Sequence, residues 1–283
     1  MKTFKNYLLN KNNFILSWDS GHAEQRDENI TEEVTNTTHE EVWGKHVVHK
    51  NNKYNKRDGC YNGDIHDHPD VKPKGLTNRD SVIHYAETPS DHYNGHGSSK
   101  NINGYLRNRM GDKKVGIIEH QTESVLDSVK KLSSNFTPEN VNRKELTSYS
   151  GVPEHIGKKL EASKSGDIHH LAGFTSTSTA PHTAVHFAKN AAMETDNPHI
   201  HHIIKFTVQS GAGMSIAHES SFGENEILLH HGAKTTYSHT EINHGRSDNL
   251  PDAPKVETHI HHVTVHPEHK NLDDYGSYNA PKD

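Results

Sequence analysis

The chain has little that would build a disulfide framework or cross a membrane. One cysteine, Cys60, excludes an intramolecular disulfide, and its polar surroundings supply no organised base for a cysteine nucleophile. No apolar run approaches the roughly 18 to 20 residues of a membrane span. The apolar stretch at Tyr7-Leu8-Leu9 is too short for a secretory signal. We therefore expect a soluble protein that is not exported by the general route.

Apolar residues and positive charge are also scarce. Hydrophobic residues make up 30% of the 283 residues, mean hydropathy is -0.95, and the net charge is -6, which argues against nucleic-acid binding. Because the apolar positions concentrate after residue 77, residues 1–77 are expected to form a polar, flexible extension. Residues 78–270 then form the folded domain, and residues 271–283 form a polar tail. We expect a monomer.

Histidine is abundant, with 28 residues. Imidazole titrates between about pH 5 and 8, so a hydrated polar surface and a metal-buffering role are both open interpretations. In a strand, His259 and His261 would share a face, and His262, His266 and His269 follow closely. No neighbouring cysteine or carboxylate cluster completes a zinc ligand set, so we predict no metal requirement.

The spacing of apolar residues predicts helices first and strands afterwards. Helical spacing occurs in four segments and strand patterns in six: helices at Ser81–Tyr85, Ile102–Arg109, Val115–Leu132 and Ala180–Met193, and strands at Leu146–Tyr149, Phe174–Thr177, His202–Val208, Met214–Ala217, Glu226–His230 and His259–Val265. Helices followed by a strand-rich half indicate an α+β fold.

Two glutamates stand at the start of one apolar strand. Glu224 and Glu226 precede Ile227-Leu228-Leu229, and alternate residues of a strand share a face. Two close carboxylates repel each other, yet they suit a reaction that develops positive charge, such as cleavage of a glycosidic bond. The alternative is a solvated strand end with two ordinary glutamates.

A second segment alternates hydroxyl side chains. Phe174 is followed by Thr175, Ser176, Thr177 and Ser178, of which Ser176 and Ser178 would share one strand face. These hydroxyls either bind a polar ligand and orient a carboxylate, or belong to a half-exposed strand of high β-propensity.

The order of these elements resembles the mono-ADP-ribosyltransferase superfamily. Phe-Thr-Ser-Thr-Ser, a helix with Ala-x-x-Phe-Ala, and Glu-x-Glu-Ile-Leu-Leu are similar to the branch with an arginine, Ser-Thr-Ser and Glu-x-Glu signature. Tyr85 and Ile102-Asn103-Gly104-Tyr105-Leu106-Arg107 resemble the helices that precede them in that branch, which occurs in bacterial toxins and tailed phages. The resemblance covers roughly residues 78–268 and implies N-terminal helices followed by two packed, mainly antiparallel sheets around an NAD cleft.

The resemblance also implies a reaction and roles. ADP-ribose would pass from NAD, as a substrate, to a protein side chain, with arginine the expected acceptor in this branch. Glu226 would bind the nicotinamide ribose and stabilise the oxocarbenium ion, while Ser176 holds it in place. Glu224 would orient the incoming guanidinium. The family's roles for the remaining positions are support of the NAD pocket by Thr177 and Ser178, NAD binding by Asn103 and Arg107, and acceptor recognition by Phe222.

One motif departs from the family pattern. In Tyr149-Ser150-Gly151, a further part of the expected NAD site, Ser150 stands where the family has an arginine that contacts NAD. Arg107, Arg143 or His170 would then supply the positive charge for the phosphates. An NAD glycohydrolase and a catalytically silent NAD-pocket module remain alternatives.

The resemblance leaves two settings for the protein. It implies action in the cytoplasm of a target or host cell, after delivery by a phage particle or a secretion system. Ile30-Thr31-Glu32 resembles the short sites that phage maturation proteases cut.

Overall fold

Within the residues that the structure describes, the fold begins with three helices. The computed structural model describes residues 76–86, 97–111, 122–179, 181–216, 226–246 and 255–277. The helices are α1 (Arg79–Ala86), α2 (Ser99–Arg109) and α3 (Thr122–Ser133). In α3, Val125, Val129 and Leu132 recur at helical spacing and are fully buried. The expected start of this helix at Val115 lies outside the described residues.

Strands dominate the rest of the chain. The elements, in chain order, are β1 (Leu146–Val152), α4 (Glu154–Glu161), β2 (Ile168–His170), β3 (Thr175–Ser178), α5 (Pro181–Ala192), β4 (Ile200–Val208), β5 (Gly213–Ser215), β6 (Glu226–Leu229), β7 (Ala233–Arg246), β8 (Lys255–His269) and a short 3-10 helix (Leu272–Asp274). The α+β class expected from the sequence is confirmed.

The strands form one mainly antiparallel sheet of eight strands, where two packed, mainly antiparallel sheets were expected. Its order is β2-β7-β8-β4-β1-β3-β6-β5, and every pair is antiparallel except β4 with β8. The sheet is continuous because β1 pairs with β4 along the whole length of β1. Strand β1 also pairs with β3 at one position, Tyr149 opposite Ser178. This narrow link joins a five-stranded part to the three strands β3, β6 and β5.

Strand β6 is covered on both faces. Ile227 and Leu229 belong to an apolar cluster with residues of β4, β7 and β8. Leu228 points the other way, into a cluster with Met214 and the residues of α1, α2 and α3. The three-stranded part therefore lies between the helices and the larger part of the sheet.

Besides the short 3-10 helix, three elements were not predicted from the sequence: α4, β2 and β7. Strand β7 is rich in Thr and His, and only its first half alternates buried and half-buried residues, with Thr235 and Tyr237 inward. Its backbone is held by pairing with β8 on one side and β2 on the other. Such pairing depends on distant residues, which local apolar patterns do not report.

The first residues after 270 pack against the domain. Tyr275 is buried in the cluster of the three helices, and Arg109 of α2 donates from Nε to the carbonyl of Gly276 at 2.6 Å. The segment assigned to a polar tail thus begins with an ordered contact to α2. Among the described residues, no helix is long and apolar enough to span a membrane.

Candidate active site

A row of three side chains crosses the link between the two parts of the sheet. Tyr149 of β1 lies opposite Ser178 of β3, and Ser178 lies opposite Glu226 of β6. Directly paired residues of antiparallel strands point to the same face. The three are 2%, 4% and 9% exposed, respectively. Glu226 is the first residue of β6, so a largely buried carboxylate lies at the N-terminal end of a buried strand.

The other hydroxyls of β3 divide between the two faces. Ser176 shares the face of Ser178, is exposed, and lies close to Tyr85 of α1. Thr177 points to the opposite face, where its Oγ1 donates to the carbonyl of Ile227 at 2.9 Å. Ser176 therefore faces the cleft, while Thr177 ties β3 to β6.

The first two helices contribute a polar cluster beside this row. The hydroxyl of Tyr85 donates to the carbonyl of Phe174 at 3.1 Å. Nδ2 of Asn103 donates to the same carbonyl at 3.0 Å and to the Tyr85 hydroxyl at 3.1 Å. Burial raises the pKa of Tyr85 to about 12; the charge of Glu226 adds to this, and the hydrogen bond from Asn103 opposes it. The phenol is therefore neutral at physiological pH.

Asn103 holds a buried acceptor beside this row. Its Oδ1 has no hydrogen-bond partner among the described residues. An added Cβ at Gly173 would lie 2.6 Å from that oxygen, so only glycine fits there. Sequence patterns did not single out Gly173 as a site residue. Tyr85, which the sequence linked to the family but not to the site, also lies here.

Of the three candidate cations, only Arg107 lies by this end of β6. It is exposed on α2 one turn after Asn103, and its charge acts on Tyr85. Arg143 follows Asn142, which binds Gly213 opposite Leu229. His170 contacts the carbonyl of Gly232 at 3.1 Å, just past Leu229. The structure thus places Arg143 and His170 at the far end of β6.

Ser150 and Gly151 hold β1 against its neighbours. Oγ of Ser150 donates to the carbonyl of Ser176 at 3.3 Å. A Cβ at Gly151 would lie 2.2 Å from the carbonyl oxygen of Ala184, so the backbone of α5 packs directly on this position. Glu224 and Phe222 lie outside the described residues.

A candidate metal-ligand group lies on the other face of the sheet. Glu161, His202 and His259 converge there. The sequence analysis did not connect Glu161 with His259, because α4, which carries Glu161, was not predicted.

Comparison with known proteins agrees with this architecture. The sequence profile described as ADP-ribosyltransferase exoenzyme matches residues 91–258, more than half of the chain. No protein with a curated description matches the chain.

Three solved structures of low sequence identity are similar to the chain. An ADP-ribosyltransferase from Clostridium botulinum is 17% identical, with 68% of this chain and 88% of that chain covered and a TM-score of 0.45. The enzymatic component of the C2 toxin from the same organism is 17% identical, with 70% and 47% covered and a TM-score of 0.44. Vis toxin, an ADP-ribosyltransferase from Vibrio splendidus, is 15% identical, with 90% and 88% covered and a TM-score of 0.42.

The family profile spans α2, the Ser-Thr-Ser strand and Glu226, which are the elements that build the cleft. The chain belongs to the ADP-ribosyltransferase exoenzyme family and is an NAD-dependent mono-ADP-ribosyltransferase.

Proposed function

We propose that the protein transfers ADP-ribose from NAD to an arginine of an acceptor protein. The observation that carries the proposal is the row Tyr149–Ser178–Glu226 beside the cluster of Tyr85 and Asn103. It combines a shielded carboxylate with neutral hydrogen-bonding groups.

Glu226 is the catalytic residue in this proposal. As the nicotinamide bond breaks, positive charge develops on the ribose ring. A carboxylate that accepts the ribose 2'-hydroxyl stabilises this oxocarbenium ion. The carboxylate stabilises this charge more strongly at a shielded strand end than in water, because electrostatic attraction is stronger where the dielectric constant is low. The electron pair of the broken bond leaves with nicotinamide.

The surrounding polar groups hold NAD and the carboxylate. Ser176 shares the face of Glu226 and fixes its orientation, while Ser178 and Tyr149 line the same row. The buried Oδ1 of Asn103 accepts a hydrogen bond from NAD, and Arg107 supplies positive charge for the phosphates. Thr177, Ser150 and Gly151 keep the strands in register beneath the pocket.

The acceptor enters from the segment before β6. Glu224 stands two residues before Glu226, and its carboxylate would orient and deprotonate a guanidinium. Phe222 would contact the acceptor protein. The reaction balances when the guanidinium nitrogen attacks the ribose carbon, loses its proton to Glu224 and replaces nicotinamide. No step requires a metal.

Two further functions use the same pocket. If water replaces the guanidinium, the protein is an NAD glycohydrolase. The presence of Ser150, where the family pattern has an arginine, favours a catalytically silent NAD-binding module. We propose the transferase because a buried carboxylate is costly to keep without a role. Its place of action is the interior of a target or host cell, reached from a phage particle or a secretion system.

Labelled NAD separates the three possibilities. The wild-type chain, incubated with a mixture of cell proteins, is expected to produce labelled protein. A glycohydrolase would produce only free labelled ADP-ribose, and a silent module would produce neither labelled protein nor free ADP-ribose. Glu224→Gln is expected to lose protein labelling and keep slow NAD hydrolysis. Undiminished labelling by this variant would contradict the role of Glu224.

A further inference from the structure

A group of histidines and carboxylates lies on the sheet face opposite the proposed NAD site. In β4, His202 shares a face with Ile204 and Phe206, whereas the catalytic row includes Tyr149 on the other face of the neighbouring β1. In β8, His259 and His261 share the face of Val263. This face is covered by α4, whose Ile156 packs against the same apolar cluster.

Helix α4 brings a carboxylate to these rings. Gly157 lies against His202, since an added Cβ would be 2.1 Å from its Nδ1. One helical turn later, on the same side of α4, Glu161 contacts Nδ1 of His259 and lies 3.7 Å from Nδ1 of His202. One ligand atom from each of these three residues falls within 4.8 Å of the others.

The spacing and chemistry suit a transition metal. Two zinc bonds of about 2.05 Å at a tetrahedral angle place their ligand atoms about 3.3 Å apart. The distance of 3.7 Å between Glu161 and Nδ1 of His202 is close to this value, and Nδ1 of His259 lies in direct contact with Glu161. Two imidazoles and one carboxylate are a known zinc ligand set that leaves a position open.

Neighbouring groups orient two of the rings. Nε2 of His259 contacts Glu257, so the ring is fixed between two carboxylates. His261 is held through Nδ1 by Oγ1 of Thr240 at 2.8 Å. A carboxylate on the second nitrogen of a ligand histidine is the usual support of zinc sites. Nε2 of His202 is buried without a hydrogen-bond partner among the described residues, so Nδ1 makes the polar contacts of this ring.

The geometry points to a divalent transition-metal site of the zinc class, formed by Glu161, His202 and His259, that fastens α4 to β4 and β8. Because it lies on the face opposite Glu226, the site is independent of ADP-ribose transfer, and a bound ion links α4 to the sheet. The metal stabilises the folded chain by binding it in preference to the unfolded chain.

Metal titration of the full-length chain tests this site. After removal of bound metal with a chelator, Co²⁺ serves as the probe through its visible absorption, and Zn²⁺ as the competitor. Wild-type protein is expected to bind one tight Co²⁺ that Zn²⁺ displaces. Glu161→Gln and His259→Asn should each weaken binding by more than about tenfold, the lower bound seen when only supporting groups are lost.

A matched control separates this site from general histidine binding. Glu241 faces His262 at 3.6 Å in another histidine–glutamate pair of the same sheet, and Glu241→Gln should leave Co²⁺ affinity unchanged. Zn²⁺ should raise the Tm of wild type and Glu241→Gln but not that of Glu161→Gln. Because Glu161 is partly exposed, this variant is expected to fold even if His259→Asn does not.

Three results would overturn the proposal. The first is wild-type protein that binds no Co²⁺ or whose Tm does not respond to Zn²⁺. The second is unchanged affinity in Glu161→Gln. The third is an equal loss of affinity in Glu241→Gln, which would show adventitious binding by surface histidines.

Discussion

The buried polar groups near the two ends of strand β6 differ in whether they have hydrogen-bond partners. At the first end, Glu226 faces a cleft in which Asn103 Oδ1 lacks a partner among the described residues. Past the other end, both nitrogens of His231 have partners, the Tyr275 hydroxyl at 2.8 Å and Oγ of Ser133 at 3.1 Å. A buried polar group that the protein satisfies stabilises the fold, and one that it leaves available can bind a ligand.

This difference predicts where substitutions act. Changes at the Glu226 end should alter activity with little effect on stability. Changes at the His231 end should alter stability with little effect on activity.

The largest effect is expected for Glu226→Gln. The amide nearly matches the carboxylate in shape but removes the charge that stabilises the oxocarbenium ion. Transfer and NAD cleavage should both fall by about 10²- to 10³-fold or more, the scale for losing one preorganised electrostatic contact. Initial rates with labelled NAD measure both reactions. A variant with wild-type Tm and substantial remaining cleavage would show that the essential carboxylate is elsewhere.

Arg107→Ala should weaken NAD binding by about 1–3 kcal/mol, the cost of losing a hydrogen bond to a charged group. Arg143→Ala is the matched control, because Arg143 lies at the opposite end of β6. Ser150→Arg should change NAD affinity only modestly. NAD titration of the three variants compares them directly. Equal affinity in Arg107→Ala and wild type would mean that another residue neutralises the phosphates.

Stability at the His231 end should depend on pH. Burial, followed by the charges of His269 and Arg109, lowers the pKa of His231 to about 4, and burial also lowers that of His230. Unfolding therefore takes up a proton between about pH 6.5 and 4. The stabilisation is complete above pH 6.5 and is lost as the pH falls, by roughly 1–3 kcal/mol for His231.

His231→Gln isolates this contribution, because the amide can still reach Ser133. Urea unfolding at several pH values should show that the free energy of unfolding falls less steeply between pH 6.5 and about 4 in this variant than in wild type. Transfer rates near neutral pH should match. Parallel pH curves for the two proteins would contradict the assignment.

The smallest effect is expected for deletion of residues 1–75. Their composition cannot support a core, and the family profile begins at residue 91. Transfer by the truncated protein should equal that of the full chain at matched concentration. A folded, soluble but inactive truncation would place part of the NAD site in the deleted segment.

Sequence patterns predicted the strands around Glu226 better than the remainder of the fold. Glu226 and Ser178 belong to motifs whose chemistry and strand alternation are local, and the structure pairs them directly. Strand β7 and helix α4 were missed because long-range pairing and packing hold them, not strong local periodicity. The contacts of Glu161 with His259 and of Tyr275 with His231 were not predicted for the same reason, because they join residues that are distant in sequence.

Mass spectrometry of an acceptor protein tests the central claim most directly. Proteins of an expressing cell, or a protein mixture incubated with NAD and the wild-type chain, should carry one ADP-ribose on arginine side chains. The same sample prepared with Glu226→Gln should carry none. ADP-ribose on another residue type would contradict arginine transfer, and NAD cleavage without any modified protein would identify a glycohydrolase.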